Sequence, residues 1–288
     1  MSTTHQQQRV IITDPVNLVR SPAKSPLRYP GGKSKAIKKI LPLLPPKMLE
    51  CREPLVGGGS VVLAVQNLFK THVKKYWIND LNYDLYCFWK HARDSIDALV
   101  SSVSRVKKNC LDGRKLFEEF KSNREGLSDF ERAVRFFVLN RITFSGTVDS
   151  GGYSQAAFER RFTWSSIERL AALSPHLSNM HITHGDYEDL LFTEGDDVFI
   201  FLDPPYWKAT ASKLYGVKGE LHTSFDHERF AENMRKCPHK WLITYDDSPK
   251  IRELFDFAEI IEWELQYGMN NYKQGKAEKG KELFIKNY

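Results

Sequence analysis

Residues 48–69, MLECREPLVGGGSVVLAVQNLF, decide the fold. Met48–Glu53 is a short extended piece, Gly57-Gly58-Gly59 supplies a turn, and an apolar helix is predicted from Ser60 to about Phe69. A second strand, Tyr76–Ile78, follows and ends at Asn79-Asp80. Strand, glycine turn, helix and strand together read as the opening βαβ unit of a parallel sheet. Upstream, Ser34 as an N-cap and Ile37, Ile40, Leu41 and Leu44 at helical spacing predict a helix that Pro45-Pro46 stops. Residues 1–24 are polar, broken by Pro15 and Pro22, and read as a flexible basic arm. Downstream, the pattern between about 91 and 179 turns helical, with segments predicted near 94–108, 114–122 and 128–140, followed by the glycine-rich SGTVDSGGYS at 145–154. Strands resume at 180–183, 198–202, 241–244, 259–265 and 283–287, with a helix over 226–235 among them. The expected architecture is therefore an α/β sheet domain, residues 25–90 and 180–288, split by a mostly helical insert at 91–179.

Composition narrows the function classes. The 288 residues are 41% hydrophobic, 12% aromatic and 27% charged, which excludes a globally disordered chain. No stretch approaches the roughly 18 apolar residues of a membrane helix, and MSTTHQQQRV lacks the apolar centre of a signal peptide, so a cytoplasmic protein without a membrane partner is expected. Cys51, Cys87, Cys110 and Cys237 are far apart and have no histidine at zinc-ligand spacing, so reduced thiols and no metal are expected. The net charge of +6 is unevenly placed: residues 1–40 carry eight Lys/Arg against Asp14 alone, leaving the remainder slightly acidic. A basic leading segment on a near-neutral body points to a localised polyanion contact.

Three motifs carry chemistry. Gly32-Lys33-Ser34 is not a P-loop, because Leu27 stands where that loop needs its first glycine. Gly57, Gly59 and Asp80 are spaced as in a nucleoside-cofactor site, where glycines admit close backbone approach and an acid about 20 residues on binds ribose hydroxyls; Val62 replaces the third glycine. The sharpest signal is Asp203-Pro204-Pro205-Tyr206 directly after the apolar strand Val198–Leu202. Two prolines hold a carboxylate and an aromatic ring rigidly at the strand end where ligands of open α/β sheets sit. An adenine amine is a poor nucleophile; a carboxylate and a backbone carbonyl accepting its two N–H groups favour a pyramidal nitrogen, and the tyrosine can stack on the base.

Arg28-Tyr29-Pro30-Gly31-Gly32-Lys33, Glu53-Pro54-Leu55-Val56-Gly57-Gly58-Gly59-Ser60-Val61, Asn79-Asp80, Gly185-Asp186-Tyr187 and Asp203–Tyr206 resemble, in this order, the motifs of the Dam-like DNA adenine-N6 methyltransferases. The resemblance spans about residues 28–288. It implies a Rossmann-like sheet domain that binds S-adenosylmethionine, with an inserted target-recognition domain. It further implies site-specific methyl transfer to the N6 amine of an adenine flipped from double-stranded DNA. By position, Tyr29, Gly31, Gly32, Lys33, Leu55, Gly57 and Gly58 become cofactor contacts, with Asp80 on the ribose and Asp186 and Tyr187 beside the cofactor's adenine. Asp203, Pro204, Pro205 and Tyr206 become the catalytic group, Asp203 also meeting the cofactor. Arg141, Thr143 and Ser145, with Lys24 and Arg28, are the expected DNA contacts. A monomer in solution and a cognate restriction endonuclease as candidate partner complete the expectation.

Two departures stand out. The family usually has Phe where this chain has Leu55, so the aromatic contact to the cofactor is either absent or supplied by Trp207 or another ring. Asn140–Gly146 keeps the family's look, yet Thr147-Val148-Asp149-Ser150 lacks the arginine with which GATC-methylating relatives read guanine, so GATC is not inferred. Cytosine-C5 chemistry would need Pro-Cys, and the chain has Cys237-Pro238 instead. The alternative enzyme is an amino methyltransferase acting on RNA or protein glutamine, whose tetrapeptide commonly begins with Asn. A catalytically silent DNA-binding module is the other class, disfavoured by the intact Asp203–Tyr206 and Asp80.

Overall fold

The computed structural model describes residues 24–69, 72–207, 225–265 and 280–288. Most of the basic arm, including Arg9 and Arg20, lies outside the described residues. Seven strands form one sheet: β1 (Glu50–Glu53), β2 (Lys75–Asp80), β3 (Met180–His184), β4 (Val198–Leu202), β5 (Lys240–Asp246), β6 (Glu259–Leu265) and β7 (Gly280–Lys286), in the order β3-β2-β1-β4-β5-β7-β6. The first five run parallel; β7 inserts antiparallel between β5 and β6. The mixed α/β fold agrees with the sequence, whereas the antiparallel place of β7 lies beyond what strand periodicity specifies.

Strand β4 shows why the sheet is buried on both faces. All five of its residues are buried; Val198, Ile200 and Leu202 enter one apolar cluster, and Phe199 and Phe201 enter the other. Alternate side chains of a strand point to opposite faces, so a continuous apolar run has to be covered twice. Helix α1 (Ser60–Phe69) covers one face and keeps the predicted bounds, burying Val61, Val62, Leu63 and Val65.

The predicted helix from Ser34 is instead a broken run: a 3-10 turn at Lys33–Lys35, one α-turn at Ile37–Ile40 and a second 3-10 turn at Leu41–Leu43. Pro42 has no backbone N–H to donate, so it ends the α-helical ladder earlier than Pro45 would have.

The insert is helical, as expected. It contains α3 (Ile96–Asn109), α4 (Gly113–Ser122), α5 (Asp129–Ile142), α6 (Gln155–Arg161) and α7 (Trp164–Ala171), preceded by α2 (Tyr83–Asp94), which begins at the Asn82 cap. The division expected at 90/91 falls inside α2, whose Phe88 stacks on Phe137 and packs on Phe136 of α5. Arg135 of α5 and Arg132 donate to separate oxygens of Asp84, at 2.9 Å each. The remaining helices near the site are α8 (Glu188–Phe192), α9 (His227–Lys236) and α10 (Pro249–Leu254). Among the described residues no helix is long and apolar enough to cross a membrane.

Candidate active site

Strands β2, β1 and β4 are neighbours and parallel, so their carboxyl ends bring Asp80, the glycine turn after Glu53, and Asp203 to one edge of the sheet. Such an edge is where open α/β sheets hold ligands. A cleft of about 420 Å³ opens there. It is lined by Tyr29, Gly31, Gly32, Lys33, Leu55, Gly57, Gly58, Asp80, Asp186, Tyr187 and Asp203–Tyr206, so residues expected at the cofactor and at the chemistry share one cavity.

One wall is backbone. Gly57 and Gly59 have φ of +46° and +64°, a region side chains rarely adopt. A Cβ on Gly57 would stand 2.8 Å from the Tyr29 ring, and one on Gly58 3.0 Å from the Tyr29 Cβ, so the tyrosine lies directly on the turn. Asp80 fixes the turn from the next strand: its Oδ2 accepts the Gly57 N–H and its Oδ1 the Asn82 N–H, both at 3.0 Å. A carboxylate has about four lone-pair sites, so beside the Gly57, Asn82 and Leu81 N–H groups that act on it Asp80 keeps capacity for about one more donor. Burial raises the Asp80 pKa, and the Asn82 and Gly57 N–H groups oppose that rise. Glu53 lies deeper, 3% exposed, accepting the Val62 N–H at 2.9 Å. Its pKa stands well above the ordinary carboxylate value, first through burial and then through the charges of Asp203 and Asp80.

Asp203 sits opposite. Its Oδ1 lies 2.7 Å from the Lys33 ammonium and accepts the Thr244 hydroxyl at 2.7 Å; its Oδ2 accepts from Lys33 at 2.8 Å. Lys33, expected as a cofactor contact, is 5% exposed, also donates to the Gly31 carbonyl at 2.9 Å, and lies 4.9 Å from the centre of the Tyr206 ring. Its donors therefore serve the tetrapeptide and its own turn. In this structure the lysine's ion-pair partner is Asp203, which a motif 170 residues away gave no sign of.

At the other end, Asp186 Oδ1 accepts the Glu188 N–H at 2.9 Å, and Oδ2 accepts from Arg229 at 3.1 Å. Arg229 also pairs with Glu188 and lies 5.6 Å from the centre of the Tyr187 ring. Burial pushes the Tyr187 phenol up to about 12. Beside Leu55 the cleft has the rings of Tyr29, Tyr187, Tyr206 and Phe225. The Trp207 ring packs edge-on against His227, 5.1 Å between centres.

The expected DNA contacts lie elsewhere, and they divide. Thr143 is fully buried, and its hydroxyl donates to the Leu139 carbonyl at 2.7 Å, so it closes the end of α5 and offers nothing to a ligand. Ser145 has φ of 54° and carries the chain past Phe144, which is 65% exposed. Arg141 is 4% exposed, and its Nε has no partner; burial and the charges of Arg169, Arg28 and Arg161 lower its pKa to about 9. Arg28, half-buried, has an unpartnered Nη1 and a pKa lowered by burial and by Arg161. Among the described residues no carboxylate pairs with any of these four arginines. Lys24 is exposed. Arg161 and Arg169 escape a reading of the sequence because nothing in a helix surface marks which arginines converge.

The charge of the two regions differs in a way that matters. The cleft is lined by Asp80, Asp186, Asp203 and Asp226, besides the buried Glu53, against Lys33 and Arg229, a surplus of acid that suits a cationic ligand and repels phosphates. The arginine group outside it has the opposite preference.

The family described as D12 class N6 adenine-specific DNA methyltransferase matches residues 29–269. The type II methyltransferase M.MjaIII of Methanocaldococcus jannaschii is 27% identical, over 91% of this chain and 98% of its own length. The type II methyltransferase M1.LlaDCHI of Lactococcus lactis subsp. cremoris is 24% identical, over 91% and 94%. Among solved structures, the rRNA methyltransferase aviRa of Streptomyces viridochromogenes superposes with a TM-score of 0.37 at 12% identity, covering 90% of this chain and 86% of that one.

Proposed function

The chain belongs to the D12 class N6 adenine-specific DNA methyltransferases, and on that premise we propose that Asp203–Tyr206 methylates an adenine flipped out of duplex DNA at a specific site. S-Adenosylmethionine is the methyl donor of such an enzyme and, when bound, supplies an electrophilic methyl group on a sulfonium centre. The cleft fits it: the glycine turn leaves no room for a side chain under Tyr29, Asp80 keeps acceptor capacity for a ribose hydroxyl, and the surplus of acid suits a positive ligand. Tyr29, Gly57, Gly58 and Leu55 would form its walls, Asp80 would hold the ribose, and Asp186 with Tyr187 would border the adenine.

The observation that carries the proposal is the presence of Asp203 in the same cleft as Asp80 and the glycine turn. Asp203 accepts an N–H of the target amine and draws its lone pair out of the ring. Pro204 and Pro205 keep the backbone carbonyl of the tetrapeptide fixed, and Tyr206 offers a ring face to the base. An amine paired inside a duplex cannot reach this cleft, so the base has to leave the stack. The phosphates are then met outside the acidic cleft, with Arg28, Arg141, Arg161, Arg169 and Lys24 as the candidate cations and the insert at 91–179 as the recognition domain. The names of the type II relatives support a restriction–modification setting with a cognate endonuclease.

The test is incorporation of labelled methyl from S-adenosylmethionine into duplex DNA, RNA and protein, followed by identification of the methylated base. N6-methyladenine in DNA, lost by about 10²-fold or more in Asp203→Ala, is the expected outcome. A 2-aminopurine at the target position should brighten on binding. Incorporation only into RNA or protein would overturn the assignment.

A further inference from the structure

Strand β5 reads Lys240-Trp241-Leu242-Ile243-Thr244-Tyr245-Asp246, and Thr244 is fully buried. A hydroxyl in such surroundings costs free energy unless it is bonded. Its partner is the Asp203 Oδ1, 2.7 Å away. Two further groups of the same antiparallel pair reach the tetrapeptide. Glu282 of β7, 1% exposed, accepts the Tyr206 hydroxyl at 2.8 Å, and Asp246 of β5 accepts the Trp207 backbone N–H at 2.7 Å. Asp246 and Glu282 face one another in the β5–β7 register, with Thr244 two residues back. The tetrapeptide is thus gripped at both ends by a strand pair that contributes no residue to its motif.

The two oxygens of Asp203 are not equivalent. Among the described residues, Oδ1 takes both Thr244 and Lys33, whereas Oδ2 takes Lys33 alone. We propose that Thr244 and Glu282 are positioning residues for methyl transfer: Thr244 occupies Oδ1 and so presents Oδ2 to the target amine, while Glu282 fixes the plane of the Tyr206 ring against the base. This rests on the assignment of Asp203–Tyr206 to the target adenine. Strand β7, lying between β5 and β6, supplies the carboxylate that the Tyr206 hydroxyl meets. The proposed cofactor contacts come from the leading segment and from the ends of β1, β2 and β3, so the grip acts on the base and not on the methyl donor.

The experiment compares Thr244→Val, Thr244→Ser and Tyr206→Phe with the parental chain in single-turnover methylation of duplex DNA, beside S-adenosylmethionine affinity and thermal melting. Valine keeps the shape and loses the hydroxyl; serine keeps the hydroxyl and loses the methyl. The expected result is a rate about 10- to 100-fold lower for Thr244→Val at saturating DNA and cofactor, the scale of a misplaced reacting group. Cofactor affinity should be unchanged, and Thr244→Ser should restore most of the rate. Tyr206→Phe keeps the ring and should lose about tenfold with a weaker 2-aminopurine response. Parental rates in Thr244→Val, or a serine variant as slow as the valine one, would overturn the role of Thr244 by showing that only packing matters there. Should Thr244→Val fail to fold, Tyr206→Phe decides, and a parental rate there overturns the Glu282 tie. A parental chain that methylates RNA or protein instead of DNA would overturn the assignment beneath this proposal, an outcome distinct from variants that match an active parent.

Discussion

Gly57→Ala probes the floor of the cleft with one methyl group. Two costs add. The alanine would have to hold φ near +46°, which for a residue with a Cβ costs roughly 1–2 kcal/mol. Its Cβ would also stand 2.8 Å from the Tyr29 ring, which must retreat by roughly 0.6 Å to reach ordinary contact at 3.4 Å. The half-buried ring lines the cleft, so its displacement alters the cleft wall. Calorimetric titration should show S-adenosylmethionine affinity at least about tenfold weaker, equivalent to about 1.4 kcal/mol. The melting temperature should fall by about 2–4 °C for each kcal/mol of strain. Gly58→Ala is the internal control: its Cβ would lie 3.0 Å from the Tyr29 Cβ with no positive φ to sustain, so a smaller loss on both measures is expected. Unchanged affinity in Gly57→Ala with a lowered melting temperature would refute Tyr29 as a cofactor wall.

Asp80→Asn removes the charge and one acceptor oxygen; loss of a charge-assisted bond of roughly 1.5–3 kcal/mol should weaken S-adenosylmethionine about tenfold or more in the same titration, and equal affinity would place Asp80 off the ribose. Glu53 has its pKa raised above the ordinary 4.5, so the folded state holds a proton that the unfolded chain has released. The contribution of Glu53 to stability is therefore full below the unfolded value and declines as pH rises toward the folded one, and Glu53→Gln should make the fall in melting temperature over that window shallower and melt higher at neutral pH. Parallel melting profiles against pH would refute it. Arg161→Ala with Arg169→Ala should lower the slope of log DNA affinity against log salt by up to about 0.9 for each phosphate that is no longer neutralised, with sequence preference retained; an unchanged slope would remove the arginine group from the DNA path.

What the sequence discloses depends on range. Ser60–Phe69, Val198–Leu202 and Glu259–Leu265 are legible because a helical or strand period is a local property of the side chains. The antiparallel place of β7 is not, since its register is set by strands far along the chain and by which face each must bury. The site follows the same division. Asp80, the glycine turn and Asp203 stand at strand ends, where turn residues and carboxylates are conspicuous. Thr244 and Glu282 lie within strands, 41 and 76 residues from their partners, and look like ordinary sheet residues until the sheet is assembled. Thr143 shows the converse: a polar residue in a conspicuous motif suggests an outward face, although the end of a helix also needs hydroxyls.

Asn140 holds one residue of the leading segment by both its backbone groups: its Oδ1 accepts the Arg28 N–H at 2.9 Å, and its Nδ2 donates to the Arg28 and Gly146 carbonyls at 2.8 and 3.0 Å. A side chain on Gly146 would collide with that same Arg28 carbonyl. The next residue is Tyr29. For anyone exchanging recognition domains between such enzymes, the seam is therefore not at the ends of the insert. A transplanted insert has to carry its own partner for Arg28 or accept Asn140–Gly146 from the host. A chimera cut through that seam would misplace the tyrosine against which the glycine turn rests.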